Sequence, residues 1–358
     1  MHLTEIIMQK FNKLIANFTQ QKIVKMNKIK VAINGFGRIG RATAKLMLNN
    51  SNIELVAIND LSDNETLAHL FKYDSVHGKY ENEVISDSNS ISINGNKISS
   101  TSERDPEKLP WKELEVDLVI ESTGHFRTRE LAGKHITAGA KKVILSAPAK
   151  SGDIKTIVLG VNDNELDGTE TIISNASCTT NCAAPMIKII DELCGIENGF
   201  LSTIHSYTSV QNLHDGPHKD IRRGRAATLS IIPTTTGAAK AVTQIFAHLE
   251  GKIIGSANRV PVPDGSLTEL TLNIKNPKSI EEINTAFKKA SQGDMKHILE
   301  YNVAPIVSVD ILRNPNSCIF DSTLTQVLDN SVKICGWYDN EIGYSSRLVD
   351  LVLLVSKQ

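Results

Sequence analysis

No run of eighteen apolar residues occurs anywhere in the 358-residue chain, so nothing in it reads as a membrane-spanning helix. Charge of one sign is not in excess either. The 39 Lys and Arg are matched by 40 Asp and Glu, a net charge of −1. That balance gives no electrostatic reason to expect nucleic acid or an anionic membrane as partner. Cysteine is scarce. The five present are odd in number and lack the spacing of a secreted disulfide framework, which reads as free thiols in a reducing compartment, the cytoplasm. The N-terminus lacks a continuous apolar core and a small-residue cleavage site, so a secretory signal is not expected. Residues 1–26 do carry Ile6, Ile7, Phe11, Leu14, Ile15 and Phe18 at helical spacing. Their four lysines and one glutamate leave a transit peptide as an alternative, against which stand the lack of arginine and the poverty in serine. They read as a disordered or dispensable extension, with the working chain starting near Met26.

What is present fits two domains of ordinary size, in a composition 41% hydrophobic and 22% charged. KIKVAIN (Lys28 to Asn34) is a buried strand by pattern. GFGRIG (Gly35 to Gly40) follows, then good helix formers, then a second strand, IELVAIND, closed by Asp60 twenty residues after the last glycine. Gly35 permits a tight turn, Gly37 lets backbone approach a pyrophosphate, and Gly40 lets helix pack on strand. The free N–H groups of the helix start suit phosphates. Asp60 can accept hydrogen bonds from a ribose and would repel a 2′-phosphate. Strand, turn, helix, strand and acid in that order make a dinucleotide site. VDLVIESTG and KKVILSAP are further strands, and ligands in open parallel sheets bind at strand carboxyl ends. Ser122, Thr123, Gly124 and Ser146 are therefore cleft candidates, though each taken singly reads as a turn residue.

The stretch SNASCTTNC (Ser174 to Cys182) surrounds a cysteine with hydroxyls and amides. Met186, Ile187, Ile190 and Leu193 continue at helical spacing, and Gly195 can stop the helix. Cys178 is thus expected at a helix N-terminus, where the dipole and unpaired N–H groups favour a thiolate. The expectation is an exposed, activated nucleophile. Cys182 reads as a packing residue, since C-x3-C suits no common zinc site; no metal is expected. A thiol nucleophile benefits from a base. His205 ends the strand-like FLSTIHSYT, although one histidine among ten is more often structural. A basic cluster follows: His218, Lys219, Arg222, Arg223 and Arg225, then TTTGAAKA with Thr236 and Gly237, and Arg259 in ANRVPVP. Arginines beside hydroxyls make a phosphate or carboxylate site, or simply a solvated loop.

NGFGRIGR (34–41), SNASCTTNC (174–182), HSYT (205–208), TTTGAAKA (234–241) and WYDNEIGYS (337–345) occur together and in order. From about Met26 onward the chain resembles the phosphorylating, NAD-dependent glyceraldehyde-3-phosphate dehydrogenases. The cysteine motif is highly specific to the wider superfamily; the glycine motif is not. The resemblance implies that Cys178 attacks the aldehyde to form a hemithioacetal, and that His205 acts as base and stabilises the thiolate as imidazolium. Hydride would pass to NAD+, and inorganic phosphate would release 1,3-bisphosphoglycerate from the Cys178 thioester. Thr208 and Arg259 match the site for the substrate's own phosphate. Ser177, Thr179, Thr236, Gly237 and Arg223 match the site for the attacking phosphate. Asn34 opens the matching glycine motif. Arg38, Ile39, Asp60, Arg104, Ser146 and Asn340 match cofactor contacts, and Tyr344 would pack near the nicotinamide. The implied fold is α/β: an N-terminal Rossmann doubly wound parallel sheet over residues 27–176, and an α+β catalytic domain with a mostly antiparallel sheet over 177–339. A C-terminal helix, 340–358, would return to the first domain. SLTELTLNIK (266–275) and NVAPIVSVDI (302–311) have the β-rich look that the second sheet needs. A homotetramer is implied, with the segment from about Ser206 to Ser230 reaching a neighbouring subunit.

Two positions depart from the family. Val210 stands where an aspartate is usual, removing a charge beside the substrate phosphate site. Gly216 precedes Pro217 where NAD-specific members often carry leucine, which relaxes discrimination against a 2′-phosphate. Asp60 followed by Leu61 still argues for NAD, with reduced but measurable NADP use. The nearest rival is erythrose-4-phosphate dehydrogenase, which forms an acid without phosphate. A non-catalytic nucleotide-binding or adhesion protein would not need Cys178 and His205, and a cysteine hydrolase would not need the dinucleotide unit.

Overall fold

The structure, a computed structural model, describes residues 28–357; the expectation for residues 1–26 lies outside them. The first half builds a nine-stranded sheet: β1 (Ile29–Asn34), β2 (Ile53–Asn59), β3 (Val84–Asp87), β4 (Ser90–Ile93), β5 (Asn96–Thr101), β6 (Leu118–Glu121), β7 (Lys142–Leu145), β8 (Lys155–Thr156) and β9 (Ile172–Ser174). Its spatial order is β3-β4-β5-β2-β1-β6-β7-β9-β8. From β5 to β8 all neighbours run parallel, and only the β3–β4–β5 edge is antiparallel. Parallel strands need crossovers. Those after β1, β2 and β6 include helices α1 (Arg38–Leu48), α2 (Asn64–Lys72) and α3 (Arg129–Thr137). The apolar runs read from the sequence are its central strands, with Val31, Ile33, Ile58, Ile120 and Ile144 fully buried.

Helix α4 (Cys178–Cys194) leads into the second sheet. It stops at Gly195, whose φ of +67° is a conformation that costs glycine little. The sheet contains β10 (Ile196–Ser206), β11 (Ile232–Thr234), β12 (Ile253–Val260), β13 (Ser266–Ile274), β14 (Leu299–Asn302), β15 (Cys318–Asp321), β16 (Gln326–Leu328) and β17 (Ser331–Tyr338). Two of its seven pairings are parallel, β10–β12 and β14–β15. Helices α4, α5 (Ala238–Ile245) and α6 (Ile280–Gln292) accompany it. Burial alternates strictly along β13, the signature of a sheet with one face on a core. The strand expected over 302–311 does not form. β14 ends at Asn302, and residues 308–311 make a short 3-10 helix whose Asp310 accepts from Val307 N–H. Pro305 lies between them, and Val303, Val307 and Val309 are exposed. Apolar content there marks surface, not core.

The last helix, α7 (Ile342–Val355), buries Leu348, Leu351, Val352 and Val355 in the same cluster as Val31, Ile33 and Met47 of β1 and α1. The seam between the sheets is ionic. Arg38 donates to Glu341 Oε1 at 2.8 Å and to Asp74 at 2.9 Å, and His77 Nε2 lies 2.9 Å from Glu341 Oε2. Asp264, with Oδ2 3.5 Å from His77 Nε2, is wholly buried there beside Asp339 and Glu341. Burial and these two acids push its carboxyl well above the ordinary range.

Candidate active site

Cys178 is the first residue of α4, and Ser177 caps that helix, its hydroxyl accepting from Thr180 N–H at 3.1 Å. The side chain of Cys178 packs against the cores of both halves, so the thiol sits on the seam. Strand β10 carries His205 to the same point: Cys178 Sγ and His205 Nε2 are 3.4 Å apart. Strand β12 lies beside β10 in the register His205↔Arg259, which brings Arg259 Nη1 to 2.6 Å from His205 Nδ1. Three residues separated by up to 81 positions thus share one cluster through one helix start and one strand pairing.

The electrostatics correct one expectation. Cys178 is half-buried rather than exposed, and burial pushes its thiol up to about 11 even though Arg259 and the Thr179 N–H and hydroxyl favour the thiolate. His205 is held down to about 3, first by burial and then by the Arg259 cation. Burial at the seam thus works against the thiolate and the imidazolium alike, while Arg259 favours the thiolate. A helix start stabilises a thiolate by at most about 2 kcal/mol, and desolvation at the seam outweighs it.

Two partners compete for His205 Nδ1. The Ser206 carbonyl oxygen lies at 2.8 Å and can accept an Nδ1–H. Arg259 Nη1 can only donate, so its contact requires a bare Nδ1 and a proton on Nε2. Arg259 Nη1 also donates to the Ser206 carbonyl at 2.9 Å. The tautomer is thus set by where Arg259 directs its N–H groups.

Near this centre, Thr179 Oγ1 and Thr203 Oγ1 each lie 2.9 Å from the Tyr338 hydroxyl, beneath the helix start. Thr208 lies just past β10, its N–H bonded to Gln211 Oε1. Arg223 donates from Nε to Thr234 Oγ1 at 2.9 Å, at the edge strand next to β12. Thr236 Oγ1 accepts from Ala238 N–H, and Gly237 is the residue before α5. Val210 is 58% exposed, so its lack of charge is felt in solvent rather than in the protein interior.

A cavity of about 570 Å³ opens at the carboxyl edge of the first sheet. Its lining includes Asn34, Gly35, Gly37, Arg38, Ile39, Asp60, Arg104, Ser122 and Thr123. Gly35 has a φ of +94°, and a Cβ there would lie 2.7 Å from Thr123 N. A Cβ on Gly40 would lie 2.2 Å from the Gly35 carbonyl oxygen, so Gly40 serves packing and does not line the cavity. Gly37 faces open space, and no side chain caps α1. The first N–H groups of that helix are left for an anion. The Arg38 guanidinium is committed to Glu341 and Asp74, so Arg38 has its backbone to offer a phosphate. Asp60 already accepts from Phe36 N–H and Ser62 N–H.

Gly124, Ser146, Asn340 and Tyr344 are not on that lining. Asn340 accepts from the Ser206 and Ser266 hydroxyls at 2.7 Å each, which leaves its amide N–H groups unengaged beside β10. Tyr344 is buried and donates to the Ala176 carbonyl. Sequence reasoning missed Asn59, Glu103, His125, Phe126 and Ser209, all on the lining. Asn59 ends β2 next to Asp60, so the strand-end rule could have found it. Ser209 arrives from the other half of the chain, with no local signal.

Comparison with known proteins follows the same division. The family described as glyceraldehyde 3-phosphate dehydrogenase, NAD binding domain, matches residues 29–129, and the corresponding C-terminal domain family matches residues 177–340. Glyceraldehyde-3-phosphate dehydrogenase of Mycobacterium avium is 54% identical over 336 residues, 92% of this chain and 99% of the relative. Glyceraldehyde-3-phosphate dehydrogenase 2 of Bacillus subtilis is 51% identical over 327 residues, covering 91% and 96%.

Proposed function

The chain belongs to the glyceraldehyde-3-phosphate dehydrogenase family, and we propose how its own residues carry out the phosphorylating oxidation of D-glyceraldehyde 3-phosphate with NAD+ and inorganic phosphate. The observation that carries this reading is the 3.4 Å approach of Cys178 Sγ to His205 Nε2, at a helix start beside Arg259. The reaction belongs to glycolysis and, reversed, to gluconeogenesis.

The cavity fits a dinucleotide. Gly37 faces open space into which a Cβ would project, and the start of α1 lacks a side-chain cap. Asp60, placed to receive the ribose, makes NAD+ the cofactor. Arg104, Ser122, Thr123, Gly124 and Ser146 complete its surroundings, with Asn340 and Tyr344 toward the nicotinamide. When bound, the cofactor supplies a hydride acceptor, which turns a hemithioacetal on Cys178 into a thioester.

The substrate phosphate is held by Thr208 and Arg259. An anion that draws the Arg259 N–H groups away leaves Nδ1–H of His205 to donate to the Ser206 carbonyl. Nε2 is then bare and faces the thiol. It takes the Cys178 proton as sulfur adds to the aldehyde carbon, and returns it to the carbonyl oxygen. As the hemithioacetal is oxidised, Nε2 accepts the hydroxyl proton. The N–H groups at the start of α4 face the developing oxyanion. Inorganic phosphate, held by Ser177, Thr179, Arg223, Thr236 and Gly237, attacks the thioester carbon. The Cys178 thiolate leaves, giving 1,3-bisphosphoglycerate.

Residues 27–176 serve as the NAD-binding unit, 177–339 as the catalytic unit and 340–358 as the closing helix. The packing of α7 on the core of the first sheet supports that division. We place the enzyme in the cytoplasm, supported by its five free cysteines and its glycolytic reaction. We assign it a homotetramer, supported by Leu213, Ile221, Leu229 and Ile231, all exposed in or beside the 206–230 segment; sedimentation of the purified protein tests this. Its partners are otherwise small molecules.

The test of the reaction is NADH absorbance with aldehyde and NAD+, with and without inorganic phosphate, in wild type and Cys178→Ser. Phosphate-dependent NADH that vanishes in the variant is expected. A phosphate-independent rate would transfer the chain to the acid-forming erythrose-4-phosphate type.

A further inference from the structure

From the wall of the cavity inward runs a chain of buried polar side chains. Asn59, Asn34 and Glu121 are the last residues of β2, β1 and β6, and they stand at one register level: Asn34 pairs with Asn59 on one side and with Glu121 on the other. Asn59 Nδ2 donates to Asn34 Oδ1 at 2.7 Å, and Asn34 Nδ2 donates to Glu121 Oε2 at 2.6 Å. The other carboxylate oxygen of Glu121 accepts from the Thr123 N–H at 2.8 Å and from the Thr123 hydroxyl. Two turns on the cavity wall, after β1 and after β6, are therefore tied to one carboxylate. They also touch directly, because Gly35 leaves no room for a Cβ against Ser122 and Thr123.

The carboxylate is itself aimed from below. His135 of α3 is fully buried, with Nε2 3.1 Å from Glu121 Oε2. Trp111, also fully buried, donates from Nε1 to His135 Nδ1 at 3.0 Å. Indole N–H only donates. Nδ1 must accept it, so the imidazole proton lies on Nε2 and points at Glu121. The indole fixes the tautomer, the tautomer supplies the fourth donor to Glu121, and Glu121 holds both turns. A buried carboxylate needs such donors, and a network satisfied at every member holds one geometry.

We propose that Trp111 and His135 are positioning residues for the dinucleotide cofactor, acting through Glu121 on the Asn34 and Thr123 walls of its cavity. This rests on the cofactor site assigned above. Neither residue lines the cavity, so the effect is on the alignment of backbone N–H groups and not on contact.

The experiment uses the full enzyme and the variants Trp111→Phe, His135→Leu, His135→Gln and Val143→Ala. Val143 is a fully buried residue of β7 in the same core cluster as Trp111, and its truncation controls for loss of stability alone. NAD+ affinity is measured by calorimetry, beside initial rates and thermal unfolding. Trp111→Phe and His135→Leu are expected to raise the NAD+ Kd and KM about threefold to tenfold, the range of one lost buried hydrogen bond. Their kcat at saturating NAD+ and their aldehyde KM should stay within about twofold. His135→Gln keeps one acceptor and one donor and should recover most of the affinity. Val143→Ala should bind NAD+ as wild type does. NAD+ affinity unchanged in Trp111→Phe, which keeps an aromatic ring there but no N–H donor, would overturn the proposal, as would an equal loss in Val143→Ala. Failure of the wild type itself to bind NAD+ would overturn the cofactor reading instead.

Discussion

Arg259 Nη1 stands 2.6 Å from His205 Nδ1, so a fixed cation presses on the ring that must accept the thiol proton. Strand register places it there, because His205 and Arg259 are directly paired on β10 and β12. Removing the cation should let the ring protonate more easily. In Arg259→Gln the His205 pKa is expected to rise from about 3 toward the ordinary value, while the aldehyde KM rises as the substrate's phosphate loses its partner. Proton NMR titration of the imidazole checks the first part; an unmoved His205 would mean that burial alone sets it.

The same depressed pKa makes stability depend on acid. His205 is neutral in the folded state down to about 3, whereas an unfolded histidine takes up a proton near 6.5. Between those values the unfolded chain binds more protons, so this residue's contribution is full above pH 6.5 and is lost as pH falls toward 3. His205→Gln removes that titrating group. The difference in unfolding midpoint between wild type and variant, read in urea, should shift in the variant's favour across that window and stay constant above it. At neutral pH the variant's kcat should drop by about 10²- to 10⁴-fold.

Asp264 gives the opposite sign. Its carboxyl keeps a proton in the folded state well above the ordinary carboxylate range, whereas the unfolded residue releases it near 3.9. Here the folded chain binds more protons, so stability falls as pH rises through that interval. Asp264→Asn should raise the thermal midpoint at pH 8 by a few degrees, about 1–3 kcal/mol, and have little effect near pH 4. An equal gain at both pH values would show that the benefit is packing and not titration.

The glycines of the turn should separate by role. Ala at position 40 would place a methyl 2.2 Å from the Gly35 carbonyl oxygen, which costs about 1–3 kcal/mol as overpacking. Gly40→Ala should therefore lose both thermal stability and NAD+ affinity. Ala at position 37 meets nothing, so Gly37→Ala should keep its midpoint and lose NAD+ affinity only. Loss of stability in both would mean that neither turn position is reserved for the cofactor.

Asp60 faces the cavity and should repel a 2′-phosphate. Initial rates are expected to favour NAD+ clearly over NADP+, with measurable NADP+ use because Gly216 is small. Equal kcat/KM for the two cofactors would sink this expectation.

Much of the molecule was legible locally. The runs at Ile29, Ile53, Leu118 and Lys142 form strands because they are apolar, short and bounded by turn residues. GFGRIG turns where its glycines permit. SNASCTTNC starts a helix because Ser177 caps it and the periodic apolar residues follow. NVAPIVSVDI misled for a related reason: valines raise strand propensity, but Pro305 and the Asp310 cap interrupt the strand, and Val303, Val307 and Val309 stay exposed.

The chemistry was named by residue types and settled by pairing. The sequence alone determined that a cysteine begins a helix, that a glycine turn joins the first strand to its helix, and that an acid closes the second strand, because each follows from neighbours within a few turns of chain. Only the tertiary structure decided that Cys178, His205 and Arg259 meet, that burial disfavours the charged forms of the thiol and the imidazole, and that Glu121 is gripped from below by His135 and Trp111. Those outcomes depend on strand register and on how much water the seam excludes, and both arise from contacts between segments far apart in the chain.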